Sequence, residues 1–197
     1  MPTAALSGEL YALGSGMKVG VFIERDGVLN KVRLNGQHPV TPLSAMEFEI
    51  NPEALPLMKK LKAAGLVLIT TTNQPGLSHG QLSRRELDRM HDTLRRALPL
   101  DDIFLCPHSE ADRCPCRKPK PGLMVEAMFK WHIDLERSFV ISDKWYDAQA
   151  AKSAGCTSII LKSPWLGTDH HHDYLVPDLQ SAVEKVLQLH HSGFVPA

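Results

Sequence analysis

A chain of 197 residues, 43% hydrophobic and 22% charged, is long enough to bury one full core and is ordinary for a soluble globular protein. Lys plus Arg and Asp plus Glu both number 22, so net charge gives no electrostatic case for a nucleic-acid or anionic-membrane partner. No apolar run nears the roughly 20 residues that span a bilayer. Residues 1–17 lack the basic start and apolar core of a signal peptide and read as an N-terminal extension, open to disorder, before one domain over residues 18–192. Of the four cysteines, Cys106, Cys114 and Cys116 crowd into one loop and Cys156 stands alone. A secreted disulfide framework spreads its cysteines, whereas crowding suits metal binding in a reducing compartment, so the expected location is the cytoplasm.

In chain order, Val19–Ile23 is a β-branched strand that ends in Glu24-Arg25-Asp26-Gly27. Asn51 as N-cap and Pro52 at the first helical position open a helix that stops at Gly65. Leu66–Thr71 is the next strand. Ser83 caps a second helix, with Glu86 three residues on completing a capping box, and Pro99 ends it. Ile103–Leu105 is a short strand before the Cys-rich loop. Pro121 begins a helix to about His132, Phe139–Ser142 is a strand, and Asp147–Ala154 is helical up to Gly155. Thr157–Leu161 is the last clear strand and Leu179–Leu189 the closing helix.

This alternation predicts an α/β fold, a three-layer Rossmann-like parallel sheet with helices on both faces. No long insert follows Asn30 or separates the later strands, so no large cap domain is expected. Ligands in such sheets sit beyond the carboxyl ends of the strands. Glu24 and Asp26 follow the first strand, Thr72 the second and Asp143 the fourth. Side chains alternate along extended backbone, so acids at i and i+2 leave a strand end on the same side.

Phosphoryl transfer from a small ester needs a nucleophile, a proton donor for the leaving oxygen, and positive charge against the phosphoryl group. A carboxylate nucleophile forms an acyl phosphate that water then cleaves. Mg²⁺ prefers a few carboxylate oxygens together with water and substrate phosphate. Glu24, Asp26 and Asp143 offer the carboxylates, Thr72 and the turn Thr72-Asn73-Gln74-Pro75-Gly76 offer donors to phosphate, and Lys118 offers fixed charge. In the Cys-rich loop, Cys106-x-His108 and Cys114-x-Cys116 offer three thiolates and one imidazole. Such a Cys₃His set suits a closed, structural Zn²⁺ site that fixes Arg117 and Lys118 beside the active site. The competing readings are free thiols with a surface His108, and a zinc-ribbon nucleic-acid binder, which the neutral charge and absent aromatic-basic interleaving disfavour.

The ordered set Glu24-Arg25-Asp26-Gly27, Thr72, Lys118 and Ser142-Asp143-Lys144-Trp145-Tyr146-Asp147 resembles the four motifs of the haloacid dehalogenase-like phosphatase superfamily. Arg25-Asp26-Gly27-Val28-Leu29-Asn30, Thr72-Asn73-Gln74 and the loop from Cys106-Pro107-His108 through Cys114-Pro115-Cys116-Arg117-Lys118-Pro119-Lys120-Pro121-Gly122 look most like its heptose-bisphosphate and histidinol-phosphate phosphatase branch. The resemblance implies a nucleophile at residue 24 and a general acid/base at Asp26. It implies Mg²⁺ between the side chain of residue 24, the backbone carbonyl of Asp26, and Asp143. Thr72 and Lys118 stabilise the transferring group, Asn73, Gln74, Arg117 and Lys144 contact substrate, and Asp147 orients Lys118. The expected substrate is a small sugar-type phosphomonoester and the expected state a monomer.

The departure is Glu24, where the family has Asp. One extra methylene moves the carboxylate by about 1 Å, an error that can cost on the order of a hundredfold in rate. A pseudophosphatase that binds a phosphorylated ligand or partner is therefore the competing expectation. A nucleotide-binding protein is a weaker one, because no glycine-rich phosphate loop follows the first strand. His170-His171-His172-Asp173 and His79 read as exposed loop, Cys156 as a small buried apolar residue, and Trp145 and Tyr146 as pocket wall or packing.

Overall fold

The computed structural model describes residues 16–167 and 171–193. The chain runs β1 (Gly20–Ile23), β2 (Arg33–Asn35), β3 (His38–Val40), α1 (Ala54–Ala63), β4 (Val67–Asn73), α2 (Arg84–Ala97), β5 (Asp102–Cys106), α3 (Gly122–Trp131), β6 (Phe139–Ser142), α4 (Trp145–Ala154), β7 (Thr157–Leu161), β8 (Tyr174–Val176) and α5 (Leu179–His191). Six strands form one sheet in the order β5-β4-β1-β6-β7-β8, every pair parallel. β1 is central, the chain builds outward through β4 and β5, then returns to the other side through β6. The crevice beyond the carboxyl ends of β1 and β6 is thus the point where strand order reverses, the usual ligand position in such sheets.

Both faces of the sheet are covered, which explains why its strands read as continuous apolar runs. Val21 and Ile23 pack with Leu57, Met58 and Leu61 of α1, Leu87, Met90 and Leu94 of α2 and Val183 and Val186 of α5. Phe22, one residue out of phase, packs on the opposite face with Leu123, Met124 and Ala127 of α3 and Ala150 and Ala151 of α4. Cys156 lies in this second core, where burial raises the pKa of its thiol, as expected for a small apolar residue. No helix among the described residues is long and apolar enough to cross a membrane.

Element identities agree with the sequence reading, and several ends move. α1 starts at Ala54 because Asn51 turns its amide to the Val28 carbonyl (3.1 Å) and does not cap. β4 continues to Asn73, so Thr72 lies inside the strand rather than after it. α4 begins two residues before Asp147. Two features were not anticipated: the edge strand β8 and the antiparallel hairpin β2–β3. Three-residue strands carry too little alternation to read, although Asn35-Gly36, with Gly36 at φ +62°, is a hairpin signal. Residues 1–15 of the expected N-terminal extension, and His170 of the histidine cluster, lie outside the described residues.

The capping box at α2 is half formed. Ser83 Oγ accepts from the Glu86 N–H (3.2 Å), but Glu86 Oε2 accepts from the Ala45 N–H (2.7 Å) instead of the Ser83 N–H. Ser83→Ala should therefore cost about 1 kcal/mol in urea unfolding. Because no reciprocal bond links the two side chains, the losses from Ser83→Ala and Glu86→Ala should add to within about 0.5 kcal/mol. A larger coupling in the double variant would show a complete box.

Candidate active site and metal-binding loop

Five segments deliver charge to the switch point. β1 continues into Glu24, Arg25 and Asp26, and the Glu24 N–H is held by the Ile141 carbonyl of β6 (3.0 Å). β4 brings Thr72, β6 ends beside Asp143, the first turn of α4 carries Asp147, and the loop after β5 supplies Lys118. All are essentially buried. Lys118 Nζ donates to Glu24 Oε2 (2.6 Å), Asp147 Oδ1 (2.5 Å) and the Thr71 carbonyl (2.9 Å), a full set for an ammonium. Burial alone would lower its pKa, but Asp147 and Glu24 outweigh that and keep it protonated.

Glu24 uses its extra methylene to fold back. Its Oε1 accepts from the N–H groups of Arg25 (2.7 Å) and Asp26 (3.3 Å), while Oε2 takes the Lys118 bond. Burial pushes its carboxyl up, and Lys118 and Lys144 more than offset this, so it is held below the usual range. Asp143 goes the other way, raised mainly by burial, and Asp147 is pushed up to about 6 by the same cause.

Asp26 is pinned from two sides. Arg25, fully buried, forks onto it through Nε to Oδ1 and Nη2 to Oδ2, both 3.0 Å. Gln74 Nε2 donates to Asp26 Oδ2 and to Thr72 Oγ1, both 2.9 Å. Against the burial that raises it, Arg25 and Gln74 hold the Asp26 carboxyl low, as carboxylate.

The oxygens of this pocket are of the kind a small divalent cation takes. The Glu24 carboxylate, the Asp26 carbonyl and the Asp143 carboxylate are hard donors. Gly27, at φ +94°, lets Asp143 approach so closely that a Cβ there would stand 2.3 Å from Asp143 Oδ2. A cationic group already tests the fit, for Lys144 Nζ donates to the Asp26 carbonyl oxygen and to Asp143 Oδ1. Asp143 Oδ2 is held separately by Trp165 Nε1 (3.1 Å).

The loop after β5 brings Cys106, His108, Cys114 and Cys116 together, with ligand atoms all within 4.8 Å of one another. Neighbouring pairs lie at 3.3 to 3.6 Å. A tetrahedral zinc with Zn–S of about 2.3 Å and Zn–N of about 2.0 Å sets its ligands roughly 3.5–3.8 Å apart, so the set fits that ion. Asn73 clamps the backbone of Lys118 from the other side, its Oδ1 accepting from the Lys118 N–H and its Nδ2 donating to the Lys118 carbonyl, both 3.1 Å. Above the charged layer lies a cleft of about 360 Å³ lined by Thr41, Asn73, Arg113, Arg117, Trp145 and Tyr146, with Lys118 reaching it from below. Gln74 and Lys144 are turned inward to the acids, and the Gln74 N–H is taken by the Cys106 carbonyl (2.7 Å), so that turn offers fewer free donors than its sequence suggested.

A family model described as HAD-hydrolase-like matches residues 115–182. D-glycero-beta-D-manno-heptose-1,7-bisphosphate 7-phosphatase of Bordetella bronchiseptica is 33% identical over 151 residues, 74% of this chain and 78% of that protein. The Escherichia coli K12 protein of the same name is 30% identical over 153 residues, 72% of this chain and 77% of its own. Among solved structures, D,D-heptose 1,7-bisphosphate phosphatase from B. bronchiseptica, complexed with magnesium and phosphate, superposes with a TM-score of 0.73 at 28% identity, covering 86% of this chain and 98% of that one.

The structure gathers Glu24, Asp26, Thr72, Lys118, Asp143 and Lys144 at one place, and leaves His79 exposed. Sequence reasoning missed the roles of Arg25 and His91. Arg25 Nη1 lies 3.2 Å from Nε2 of His91, which sits on the apolar stripe of α2 beside Leu87, Met90 and Leu94. That spacing was the available signal: a histidine in a core stripe needs a polar partner.

Burial, then the charges of Arg25 and Arg95, bring the His91 pKa down to about 3. The unfolded chain takes up this proton near pH 6.5 and the folded one does not. Stability from neutral His91 is therefore complete above pH 6.5 and falls as pH drops toward 3, at up to about 1.4 kcal/mol per pH unit. His91→Gln should remove this slope, so that the difference in unfolding free energy between the two forms shrinks from pH 7 to pH 4. A constant difference would show that His91 is not buried neutral.

Proposed function

The chain belongs to the haloacid dehalogenase-like family of the heptose-bisphosphate phosphatases, and from that premise we propose that it is a Mg²⁺-dependent phosphatase of a small sugar-type phosphomonoester. Heptose bisphosphate-like and histidinol phosphate-like esters are the substrates in view. The observation that carries the reading is the convergence of Glu24, Asp26, Thr72, Lys118 and Asp143 from four separate segments at the reversal point of the sheet. Buried, strongly coupled charges gathered in a crevice mark a candidate functional site.

In this reading Glu24 attacks phosphorus and carries the acyl phosphate, and the leaving oxygen takes a proton that Asp26 has accepted from the incoming phosphate monoanion. Water then cleaves the acyl phosphate and returns a proton to Asp26. Arg25 and Gln74 hold Asp26 ionised, the form that receives the proton of water, so leaving-group protonation is the weaker half of its duty. Lys118 and Thr72 stabilise phosphoryl charge, and Arg117 on the cleft wall meets the rest of the substrate. Glu24, the Asp26 carbonyl and Asp143 would hold Mg²⁺, which supplies charge neutralisation when bound. Cys106, His108, Cys114 and Cys116 would hold a structural Zn²⁺, which would set the position of Lys118. The working unit is one domain over residues 18–192, monomeric and cytoplasmic.

One observation favours a second reading, the pseudophosphatase. The Glu24 carboxylate occupies the Arg25 and Asp26 N–H groups and Lys118, the donors that a transferring phosphoryl group would need. Glu24→Asp shortens the side chain and should raise kcat on the order of a hundredfold on heptose bisphosphate or histidinol phosphate with Mg²⁺. Measurable turnover by the unaltered chain supports the enzyme. Turnover by the Asp form alone leaves the binding protein.

The zinc assignment has its own check. Protein purified under reducing conditions should contain one equivalent of zinc by elemental analysis, and Cys114→Ser should lose it together with most activity, because Lys118 is no longer fixed. Full activity in zinc-free protein would remove the zinc from the mechanism.

A further inference from the structure

Arg25 is fully buried between Glu24 and Asp26, and three side chains hold its guanidinium. Nε and Nη2 fork onto Asp26, both at 3.0 Å. Nη1, on the opposite edge of the same rigid plane, lies 3.2 Å from Nε2 of His91 on α2. Arginine can only donate, so His91 accepts at Nε2 and carries its proton on Nδ1. Arg25 Cζ also stands 5.4 Å from the centroid of the Phe48 ring, a cation–π distance. Phe48 follows Ala45, whose N–H Glu86 of α2 accepts at 2.7 Å, so α2 holds both the ring and the imidazole against Arg25.

Resting on the phosphatase reading, we propose that His91 is a positioning residue for the acid/base Asp26: acting through Arg25, it fixes where the Asp26 carboxylate takes up and hands over its proton. A planar guanidinium held at one edge swings about that edge. Held at both edges it cannot, and the carboxylate plane is fixed with it. Gln74 bonds only Oδ2, so the place of Oδ1 depends on Arg25. The residue type at 91 suits this duty. A carboxylate there would compete with Asp26 for the guanidinium, and a cation would repel it. An apolar residue, like the stripe neighbours Leu87, Met90 and Leu94, would leave Nη1 without an acceptor. A neutral imidazole holds Arg25 and leaves its charge to Asp26. Burial keeps His91 in that neutral form.

Proton delivery matters more the more basic the leaving oxygen, and that sets the test. The readout is the ratio of kcat/KM for an alkyl ester to that for 4-nitrophenyl phosphate, whose phenolate leaves without a proton. The alkyl ester is heptose bisphosphate or histidinol phosphate, whichever turns over faster. Both esters are assayed with Mg²⁺ on one preparation of the full chain, so any unfolded fraction cancels. The Glu24→Asp form serves as background where it alone turns over. His91→Leu should lower the ratio roughly tenfold, because a displaced proton carrier slows only the step that needs it. His91→Gln returns a neutral acceptor and should restore most of the ratio. Phe48→Leu keeps an apolar side chain over Arg25 and should lower the ratio by a smaller factor. An unchanged ratio in His91→Leu, or in Phe48→Leu where the first variant does not fold, overturns the positioning role and leaves the phosphatase standing. Equal losses in the Leu and Gln forms overturn it as well, since packing alone would then explain them. No turnover of any ester, by the unaltered chain and by Glu24→Asp alike, overturns the phosphatase reading and the positioning role with it.

Discussion

Lys118 is an ammonium with almost no access to water, and an ion in that position must be met on every side or give up its proton. Its three acceptors come from the end of β1, from β4 and from α4, while its own backbone is clamped by Asn73 and lies two residues after Cys116. One buried charge thereby fixes the relative placement of the central strand, its neighbour, a helix on one face and the cysteine loop. Removing one partner of such a buried pair typically costs about 3–5 kcal/mol, because the other charge is left stranded. The arrangement of the site and the docking of α4 on the sheet are the same interaction seen from two sides.

The rest of the charged layer follows from that placement. Parallel strands end in the same direction, so every carboxyl end adjacent to β1 opens on the same crevice. Asp143 arrives because β6 pairs with β1 in register, Ile23 opposite Ile141, and Gly27 removes the one side chain that would block it. Three of the acids are satisfied internally: Glu24 by backbone N–H groups and Lys118, Asp26 by Arg25 and Gln74, Asp143 by Lys144 and Trp165. In a pocket with its charges so matched, each ligand must replace an internal bond with a better one.

The sheet and the metal-type loop were legible because their signals are local. A β-branched run, a Gly stop or four ligand side chains in one loop can be read without knowing what lies nearby. β8 and the β2–β3 hairpin were not, since three residues give no period and their stability comes from neighbours. The acids could be placed at strand ends and Lys118 beside the cysteine loop, with Asp147 expected to orient it, but the other partners could not. Arg25 was visible only as one letter between two acids, and its fork onto Asp26 and contact with His91 depend on α2 folding over it, 66 residues later. Asn73 and Gln74, expected as substrate contacts, also serve as struts for Lys118 and Asp26, because amides in such a site are drawn to the nearest unsatisfied backbone or charge.

Glu24 shows how far a one-methylene change can propagate. Its longer reach lets Oε1 accept from the Arg25 and Asp26 N–H groups while Oε2 accepts from Lys118. The same carboxylate thereby fills the role of a counter-ion for Lys118 and the role of an anion in the backbone cradle. Stability favours this, since two N–H groups and an ammonium are satisfied by one side chain. Attack on phosphorus requires the opposite: at least one oxygen free of N–H donors, and the cradle open for the phosphoryl group. The fold and the chemistry therefore make opposing demands on residue 24, and a shorter carboxylate would meet the second at some expense to the first.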